Sequence, residues 1–472
     1  MRTLGSYVLL ASLALWGCRS RAPATASSQP KIRQTVSREA AGSARTVGVA
    51  IRVPAKGGAA RVYRPGALVE IPSVLRGKLP ALDRVVGLDP EAGFLYVATA
   101  KHEVLALDLG SARVDTVATG IERATVGPDG TLYAVDVKRH VVSVGRRVRV
   151  AWPQPLPSVP RQLFGAADRR LIAVDSAKLI TAAPDQPATS RPLPAGSPVA
   201  ATRWGDLVGV AADSGVVLMD PLGRREATFV ALADHPRALV FSPSGHRVYV
   251  ARHTQAGLAA IDRYDRAEID GVALPLPAAT IRLDPLGRWL LAKPAAGDSV
   301  WVVDLPVKQL VGSVPSAWRV DLPAIGPDGS LLVRQGDDVV AYRPDSLVET
   351  GRVKGGAADF WVLTAWRPRG SYRGAFADAD AGAGQAAEPG AAADTAGSGG
   401  PIYVQVSTSQ NEAWSAGMAQ QLTRAGLAAR VLDPKNPDDG YRVVLGPYPT
   451  RTQAEAIGRK LGRPFWIYQP TP

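Results

Sequence analysis

The chain has 472 residues, 46% hydrophobic and 21% charged, a composition that excludes a wholly disordered chain and a polytopic membrane protein. Its 47 glycines and 39 prolines argue against a mostly helical protein, and its single cysteine excludes an intramolecular disulfide. The formal charge is +13, but no run of five or more Lys or Arg residues occurs, so we expect no nucleic-acid partner. Five scattered histidines and one cysteine predict no metal site, and we expect no cofactor.

The first 17 residues have the features of a secretory signal peptide. Arg2 supplies the positive charge, and an apolar stretch of about 20 Å follows, which is short for a lasting transmembrane helix. The segment ends Leu15-Trp16-Gly17-Cys18, which resembles the lipobox of bacterial lipoproteins, although Trp16 replaces the small residue usual there. The resemblance implies that Cys18 is lipidated. The alternative is an incidental cysteine after an ordinary signal.

Residues 18–45 are small and polar, and we predict that they form a flexible tether. Arg19 rather than Asp follows the cysteine, which by the sorting rule of enteric bacteria favours the outer membrane over the inner one. We therefore expect a cell-envelope protein that is held on the membrane by its N-terminal lipid and faces the periplasm.

One pattern recurs from about residue 86 to 366: a turn with Gly, Asp or Pro, a short strand, a polar gap and a second strand. The seven turns are spaced by 36 to 42 residues. A period near 40 in β-rich sequence is typical of four-stranded propeller blades. We predict a β-propeller over residues 46–370 with about seven blades, with six or eight also open. Segments 60–63 and 360–363 are predicted to close the ring by pairing N- and C-terminal strands.

The repeats resemble YVTN-type and quinoprotein-like bacterial propellers, most clearly at residues 241–252. This resemblance implies an architecture and not an activity, because propellers host enzymes, binders and scaffolds. The sequence contains no Gly-x-Ser-x-Gly elbow and no phosphate-binding loop. We predict no catalytic residue. Four carboxylates that follow second strands are predicted to cap turns rather than bind cations: Asp108, Asp220, Asp262 and Asp304.

Residues 371–400 hold 11 alanines and 7 glycines, which predicts a flexible linker. Residues 401–472 predict a folded domain with strands over 402–406, 427–432, 441–445 and 465–468. Helices are predicted from Asn411 to about Arg424 and from Thr450 to Leu461. The order βαββαβ builds a small α+β domain, in which two helices cover one face of a four-stranded antiparallel sheet. The other face is open to a ligand.

This C-terminal segment resembles the SPOR domain, which binds septal peptidoglycan. The matching residues are 403–406, 425–427 with 429–431, 441–443 with 445–448, and 454–456. The family binds glycan strands that have lost their stem peptides. The resemblance implies glycan-binding roles for Gln405, Thr408 and Arg442. Position 440, aromatic in some members, is glycine here, so Tyr441 or a last-strand aromatic, Trp466 or Tyr468, is considered instead. If Arg442 faces the ligand, strand alternation places Tyr441 on the helix face, where core packing is its alternative role.

Together these predictions describe a multidomain, lipid-anchored envelope protein that is not an enzyme. Its SPOR domain binds peptidoglycan, with a role in cell division, and its propeller serves as a scaffold or as a platform for an unknown protein or small molecule. The alternative is an envelope enzyme with a lactonase-like or quinoprotein-like propeller that the SPOR domain only localises.

Overall fold

The computed structural model describes residues 47–71, 75, 77–90, 92–145, 148–366, 401–409, 412–424, 427–434, 441–460 and 466–469. The predicted signal peptide with Cys18, the tether and the linker over 371–400 lie outside these residues. Within the described ranges, no helix is both long enough and apolar enough to cross a membrane.

Eight four-stranded antiparallel sheets occupy residues 47–366, and we number them as blades 1 to 8. Blades 1 to 4 contain Leu82–Asp89, Phe94–Thr99, Val104–Asp108 and Val114–Ala118; Ile121–Val126, Leu132–Asp136, Val141–Gly145 and Val148–Ala151; Gln162–Ala166, Arg170–Val174, Lys178–Ala183 and Gln186–Pro192; Val199–Ala201, Val208–Ala212, Gly215–Met219 and Thr228–Ala231. Blades 5 to 7 contain Pro236–Phe241, Arg247–Arg252, Leu258–Asp262 and Ala267–Val272; Ala278–Leu283, Trp289–Pro294, Ser299–Asp304 and Gln309–Pro315; Ala324–Ile325, Leu331–Gln335, Asp338–Tyr342 and Glu349–Val353. A separate two-stranded sheet pairs Gly58–Ala59 with Lys78–Leu79.

Blade 8 draws its strands from both ends of this region. Phe360–Trp366 pairs with Val47–Val53, which pairs in turn with Arg61–Arg64 and then with Val69–Ile71. The predicted propeller and its closure by N- and C-terminal strands are therefore confirmed. The number of blades is eight rather than about seven, because the closing segments build a complete blade of their own. Segment 360–363 pairs with Val47–Val53, not directly with the predicted segment 60–63.

Blades are held together along their first strands and across their loops. First strands of several consecutive blades contact one another, as in Pro236–Phe241 against Ala278–Leu283. Arginines also reach the backbone of the next blade: Arg84 donates to the carbonyl of Glu122 at 3.0 Å, and Arg161 donates to that of Ser197 at 2.5 Å. Because hydrogen bonds from charged donors are stronger than neutral ones, these contacts fix neighbouring blades beyond their apolar packing.

A buried ion pair fastens blade 8 to blade 7. Arg334 and Asp321 have side chains only 2% and 6% exposed, and Arg334 Nη2 lies 2.6 Å from Asp321 Oδ2. The same oxygen accepts the Trp361 backbone N–H at 2.7 Å, and Arg334 Nε donates to the Ala357 carbonyl at 2.8 Å. The final strand of the ring is therefore anchored by charge as well as by strand pairing.

Carboxylates after the third strands mostly serve the turns that follow. Asp108 accepts the backbone N–H of Gly110 at 2.8 Å, and Asp262 accepts that of Tyr264 at 2.8 Å. Asp220 accepts that of Leu222 at 2.9 Å. Turn capping is thus confirmed for these three residues. Asp304 instead forms an ion pair with Arg288 at 3.3 Å.

The C-terminal domain has the predicted βαββαβ order. Its elements are Ile402–Ser409, helix α1 (Glu412–Arg424), Ala429–Leu432, Tyr441–Tyr448, helix α2 (Arg451–Lys460) and Trp466–Tyr468. The four strands form one antiparallel sheet in which Tyr441–Tyr448 and Ile402–Ser409 are central and the other two lie at the edges. Met418 and Leu422 of α1 and Ala454 of α2 pack on Val404 and Val443. Asn411, the predicted helix cap, lies outside the described residues.

Candidate functional site

Strand register separates the two faces of the C-terminal sheet. Val404 lies opposite Leu445 and Ile467, and all three pack towards the helices. Gln405, one residue further along, lies opposite Val444, which in turn lies opposite Arg430. Since paired residues of antiparallel strands share a face and successive residues alternate, the second set faces away from the helices. We call this surface the open face, and assign to it the described side chains of Tyr403, Gln405, Arg430, Leu432, Arg442, Val444 and Tyr468.

Two tyrosines and two arginines are stacked together on the open face. The rings of Tyr403 and Tyr468 have centroids 6.5 Å apart. The Arg430 guanidinium carbon lies 4.5 Å from the Tyr403 centroid, and Arg430 also donates a hydrogen bond to the Tyr403 hydroxyl. The Arg442 guanidinium carbon lies 5.1 Å from the Tyr468 centroid. Each cation therefore lies within reach of an aromatic ring, at a distance where cation–π attraction operates.

Burial shows how tightly these side chains cover the sheet. Tyr403 is 5% exposed and Val444 at the strand centre is fully buried, whereas Arg430 is exposed. Gln405 and Arg442 are partly exposed. The open face thus offers polar groups at its surface above a closed apolar layer.

The predicted binding residues fall in three groups. Gln405 and Arg442 lie on the open face as described above. Thr408 has its backbone opposite Arg442, and Trp466 has its backbone opposite Gln405; the side chains of both lie outside the described part of the chain.

Tyr441 is separated from the other predicted residues. It precedes Arg442 in the same strand, and its hydroxyl lies 3.4 Å from the Glu412 carboxylate at the start of α1. The charge of Glu412 is the main cause that raises the pKa of the Tyr441 hydroxyl above its usual value. Tyr441 therefore lies on the helix side of the sheet, as strand alternation predicts when Arg442 faces outwards.

Tyr403 and Arg430 were not among the binding residues predicted from sequence. Tyr403 precedes Gln405 by two residues, so alternation alone could have placed it on the same face. Arg430 carries no comparable local signal, because its position depends on which residue of the neighbouring strand it lies opposite.

Comparison with known families gives the domain its identity. Residues 398–464 match the family model described as the SPOR domain. The C-terminal domain is a SPOR domain. The family implies peptidoglycan binding, and hence a protein of the cell envelope.

Solved structures show similarity to the propeller. Apo AztD from Citrobacter koseri has 11% sequence identity and a TM-score of 0.51, with 69% of this chain and 100% of that chain covered. The dihydro-heme d1 dehydrogenase NirN in complex with DHE has 14% identity and a TM-score of 0.49, with 66% and 74% covered. At these identities the similarity concerns the fold alone. Among curated proteins, no sequence matches this chain.

The open face of the SPOR domain has the chemistry of a carbohydrate-binding surface. The partly exposed ring of Tyr468 can cover the apolar face of a sugar ring, and guanidinium and amide groups can hydrogen-bond to hydroxyl and acetamido oxygens. No position that register assigns to this face among the described strands is acidic. Its two arginines therefore give it a positive charge, which also favours an anionic polymer.

The described residues of the propeller include no cluster of metal-ligating side chains. Across the described parts of the chain, no group of three or more His, Cys, Asp or Glu side chains could hold a metal ion.

Proposed function

We propose that this protein is a lipoprotein whose SPOR domain binds denuded glycan strands of peptidoglycan at the division septum. Its lipid on Cys18 would hold it on the outer membrane, facing the periplasm. The observation that carries the proposal is the open face, where Arg430 stacks on Tyr403, Arg442 stacks on Tyr468, and register places Gln405 on the same side of the sheet. Such an array suits the alternating apolar and polar surface of a glycan without requiring a peptide.

The propeller would act as a scaffold or as a platform for a further protein or small-molecule ligand, and not as an enzyme. Two features support this. The second and third strands of each blade are largely buried, so ligands could reach mainly the turns, the loops, the first strands and the exposed outer strands. The carboxylates of Asp108 and Asp262, which could have formed a polar ring, are engaged by backbone N–H groups of their own turns.

The binding test uses the full chain and purified sacculi. Removing a hydrogen-bonding partner from a desolvated interface costs about 1 to 3 kcal/mol. We therefore expect Gln405→Ala with Arg442→Ala to weaken sacculus binding about tenfold or more, and amidase treatment of the sacculi to strengthen binding of the native chain. Arg451→Ala is the matched control for lost charge, because Arg451 lies on α2 and pairs with Glu455 at 3.0 Å.

Non-specific attraction is the competing explanation, because residues 401–472 carry eight basic and five acidic residues. At 1 M salt the screening length falls to about 3 Å, which suppresses attraction between exposed charges. Binding that disappears at high salt, and that ignores both the double substitution and the amidase, would rule out a glycan site.

The anchor has a separate test. Cys18→Ser should abolish incorporation of radiolabelled palmitate, since the thiol is the acceptor of the lipid. Label retained by the serine variant would show that the lipid is attached to another residue.

A further inference from the structure

Seven equivalent turns connect the first and second strands of blades 1 to 7. Each contains a residue with positive φ next to the second strand, which is glycine in six blades and Arg169 in blade 3, where the preceding Asp168 also has positive φ. The residue before it can therefore be compared across blades. In blade order these residues are Ala92, Asp129, Asp168, Trp204, Ser244, Leu286 and Asp328. Only blades 4 and 6 have a large apolar side chain at a position where the other blades have small or acidic ones.

These two apolar residues pack against the same neighbour. Trp204 and Leu286 both join the apolar cluster of the SPOR domain formed by Met418, Leu422 and the core strands. The contact at Trp204 is close, because a Cβ added to Gly417 of α1 would lie 2.1 Å from Trp204 Cζ2. Glycine is thus needed at position 417 because the indole of Trp204 leaves no room for a side chain. The helix itself would favour alanine there.

A polar cavity extends the contact beyond the two apolar residues. It has a volume of about 800 Å³ and is lined on the SPOR side by Glu412 and Tyr441. The propeller side carries both signs of charge, from Arg224, Arg225, Arg263 and Arg266 and from Asp206, Asp220 and Glu226. Arg263 pairs with Asp206 at 2.5 Å and Arg224 pairs with Asp220 at 3.1 Å, so the contact depends on the apolar packing of Trp204 and Leu286.

We propose that the turns of blades 4 and 6 dock the helix side of the SPOR domain, so that the domain is held against the propeller. Sequence alone predicts two domains that move almost independently on their linker. The residues that make this contact, Gly417, Glu412 and Tyr441, lie on the helix side and are distinct from the stacked tyrosines and arginines of the open face. Docking would therefore hold the SPOR domain while leaving those groups to bind glycan.

The docking is expected to be weak and reversible. Trp204 Nε1 is buried without a hydrogen-bond partner among the described residues, which disfavours the docked state. The domains are joined by residues 367–400, however, and a short linker gives an effective concentration on the order of millimolar. A contact too weak to form between separate molecules can therefore form within one chain.

Small-angle X-ray scattering of residues 44–472, which form one compact unit, tests the proposal. Trp204→Asp with Leu286→Asp introduces the residue that blades 2, 3 and 7 already have at this position, so the propeller should still fold. We expect the longest dimension to grow on the order of 30 Å, which is the span of a flexible linker of this length. Ala92→Asp, the same change in the turn of blade 1, should leave the scattering of the native chain unchanged.

Gly417→Ala provides a second route to the same result from the other side of the contact. Alanine favours the helix but collides with Trp204, so helical content should persist while the scattering expands as in the double variant. A native chain that is already extended, or variants as compact as the native chain, would overturn the proposal. Compactness that depends on protein concentration would also overturn it, because the contact would then join two copies. No glycan is present, so this result is independent of the binding experiment.

Discussion

The blades of the propeller and the sheet of the SPOR domain are both four-stranded and antiparallel, yet their surfaces differ. In blade 1, four of the five residues of Val104–Asp108 are buried, because neighbouring blades cover both faces of the sheet. In the SPOR domain the helices cover one face only, and on the other face Arg430 is exposed and Gln405 and Arg442 are partly exposed. A sheet with one uncovered face can present an array of side chains to a ligand, whereas a blade presents mainly its turns. Chemical differences between blades are therefore expected in turns, as Trp204 and Leu286 illustrate.

The largest expected effect comes from breaking the ring at its buried ion pair. Asp321→Ala leaves the Arg334 guanidinium buried without its carboxylate and removes the acceptor of the Trp361 N–H. Breaking a buried pair from one side costs about 3 to 5 kcal/mol. We expect calorimetry to show a lower unfolding temperature for the propeller, with the unfolding of the SPOR domain unchanged.

Arg352→Ala is the control in the same blade. Arg352 is more exposed and pairs with Glu349 at 2.8 Å and Asp338 at 3.2 Å. Exposed pairs stabilise a fold much less than buried ones, because water and salt screen their charges. If the two variants lost equal stability, the closure of the ring would not depend on the buried pair.

A smaller effect on stability is expected at alkaline pH, where a buried tyrosine of the propeller loses its proton. Burial, with a contribution from Asp89, raises the pKa of Tyr96 to about 12. The unfolded chain releases this proton near pH 10, so the stabilising contribution is complete below pH 10 and is lost as the pH rises towards 12. Tyr96→Phe should therefore reduce the alkaline loss of unfolding free energy by about 2 to 3 kcal/mol.

Urea titrations between pH 9 and 12 would measure this difference. Tyr264→Phe serves as the control, because Tyr264 is 49% exposed. Identical alkaline profiles for the native chain and Tyr96→Phe would contradict the assignment of the raised pKa to Tyr96.

The smallest effect concerns one side chain of the open face. Arg430→Ala removes an exposed guanidinium that could hydrogen-bond to glycan, and also the stacking and the hydrogen bond by which it holds Tyr403. One hydrogen bond lost at the interface costs about 1 kcal/mol. We expect sacculus binding to weaken several-fold, with Arg430→Lys intermediate because lysine keeps the charge but lacks the planar group.

Tyr441→Phe tests the same division between the two faces from the helix side. It removes a hydroxyl that contacts Glu412, so glycan binding should not change. If Tyr441→Phe weakened sacculus binding as much as Arg430→Ala, the glycan would bind on the helix side of the sheet, and our assignment of binding to the open face would be wrong.

The propeller could be predicted from sequence because its signal is local and repeated. Each blade turn needs a residue with positive φ, and glycine supplies it in six of the seven, so the period is visible. The eighth blade has no such signal, because its strands come from residues 47–71 and from Phe360–Trp366. Its completeness depends on long-range pairing that no local pattern encodes.

The candidate site shows the same limit on a smaller scale. Gln405 and Arg442 could be identified from the family resemblance, and the position of Tyr441 on the helix side follows from alternation. Arg430 could not be identified, because its place beside Tyr403 depends on the register of Ala429–Leu432 against Tyr441–Tyr448. The seven blade turns could be recognised from sequence as repeats. Only their contact with the SPOR domain explains why the turns of blades 4 and 6 carry Trp204 and Leu286.

The pairing of Val47 with Trp366 determines how the propeller would bear mechanical load. Val47–Val53 and Phe360–Trp366 run antiparallel, so the chain enters blade 8 at Val47 and leaves it at Trp366, at the same end of one strand pair. If the N-terminus is held by lipid and the SPOR domain by the cell wall, tension between them pulls these two strands apart from that end. Their hydrogen bonds would then be loaded one after another, as in a zipper, rather than all together in shear. Once the contact of blades 4 and 6 with the SPOR domain has released, the other seven blades would lie outside the line of force, so a propeller ligand could remain bound while the envelope is stretched.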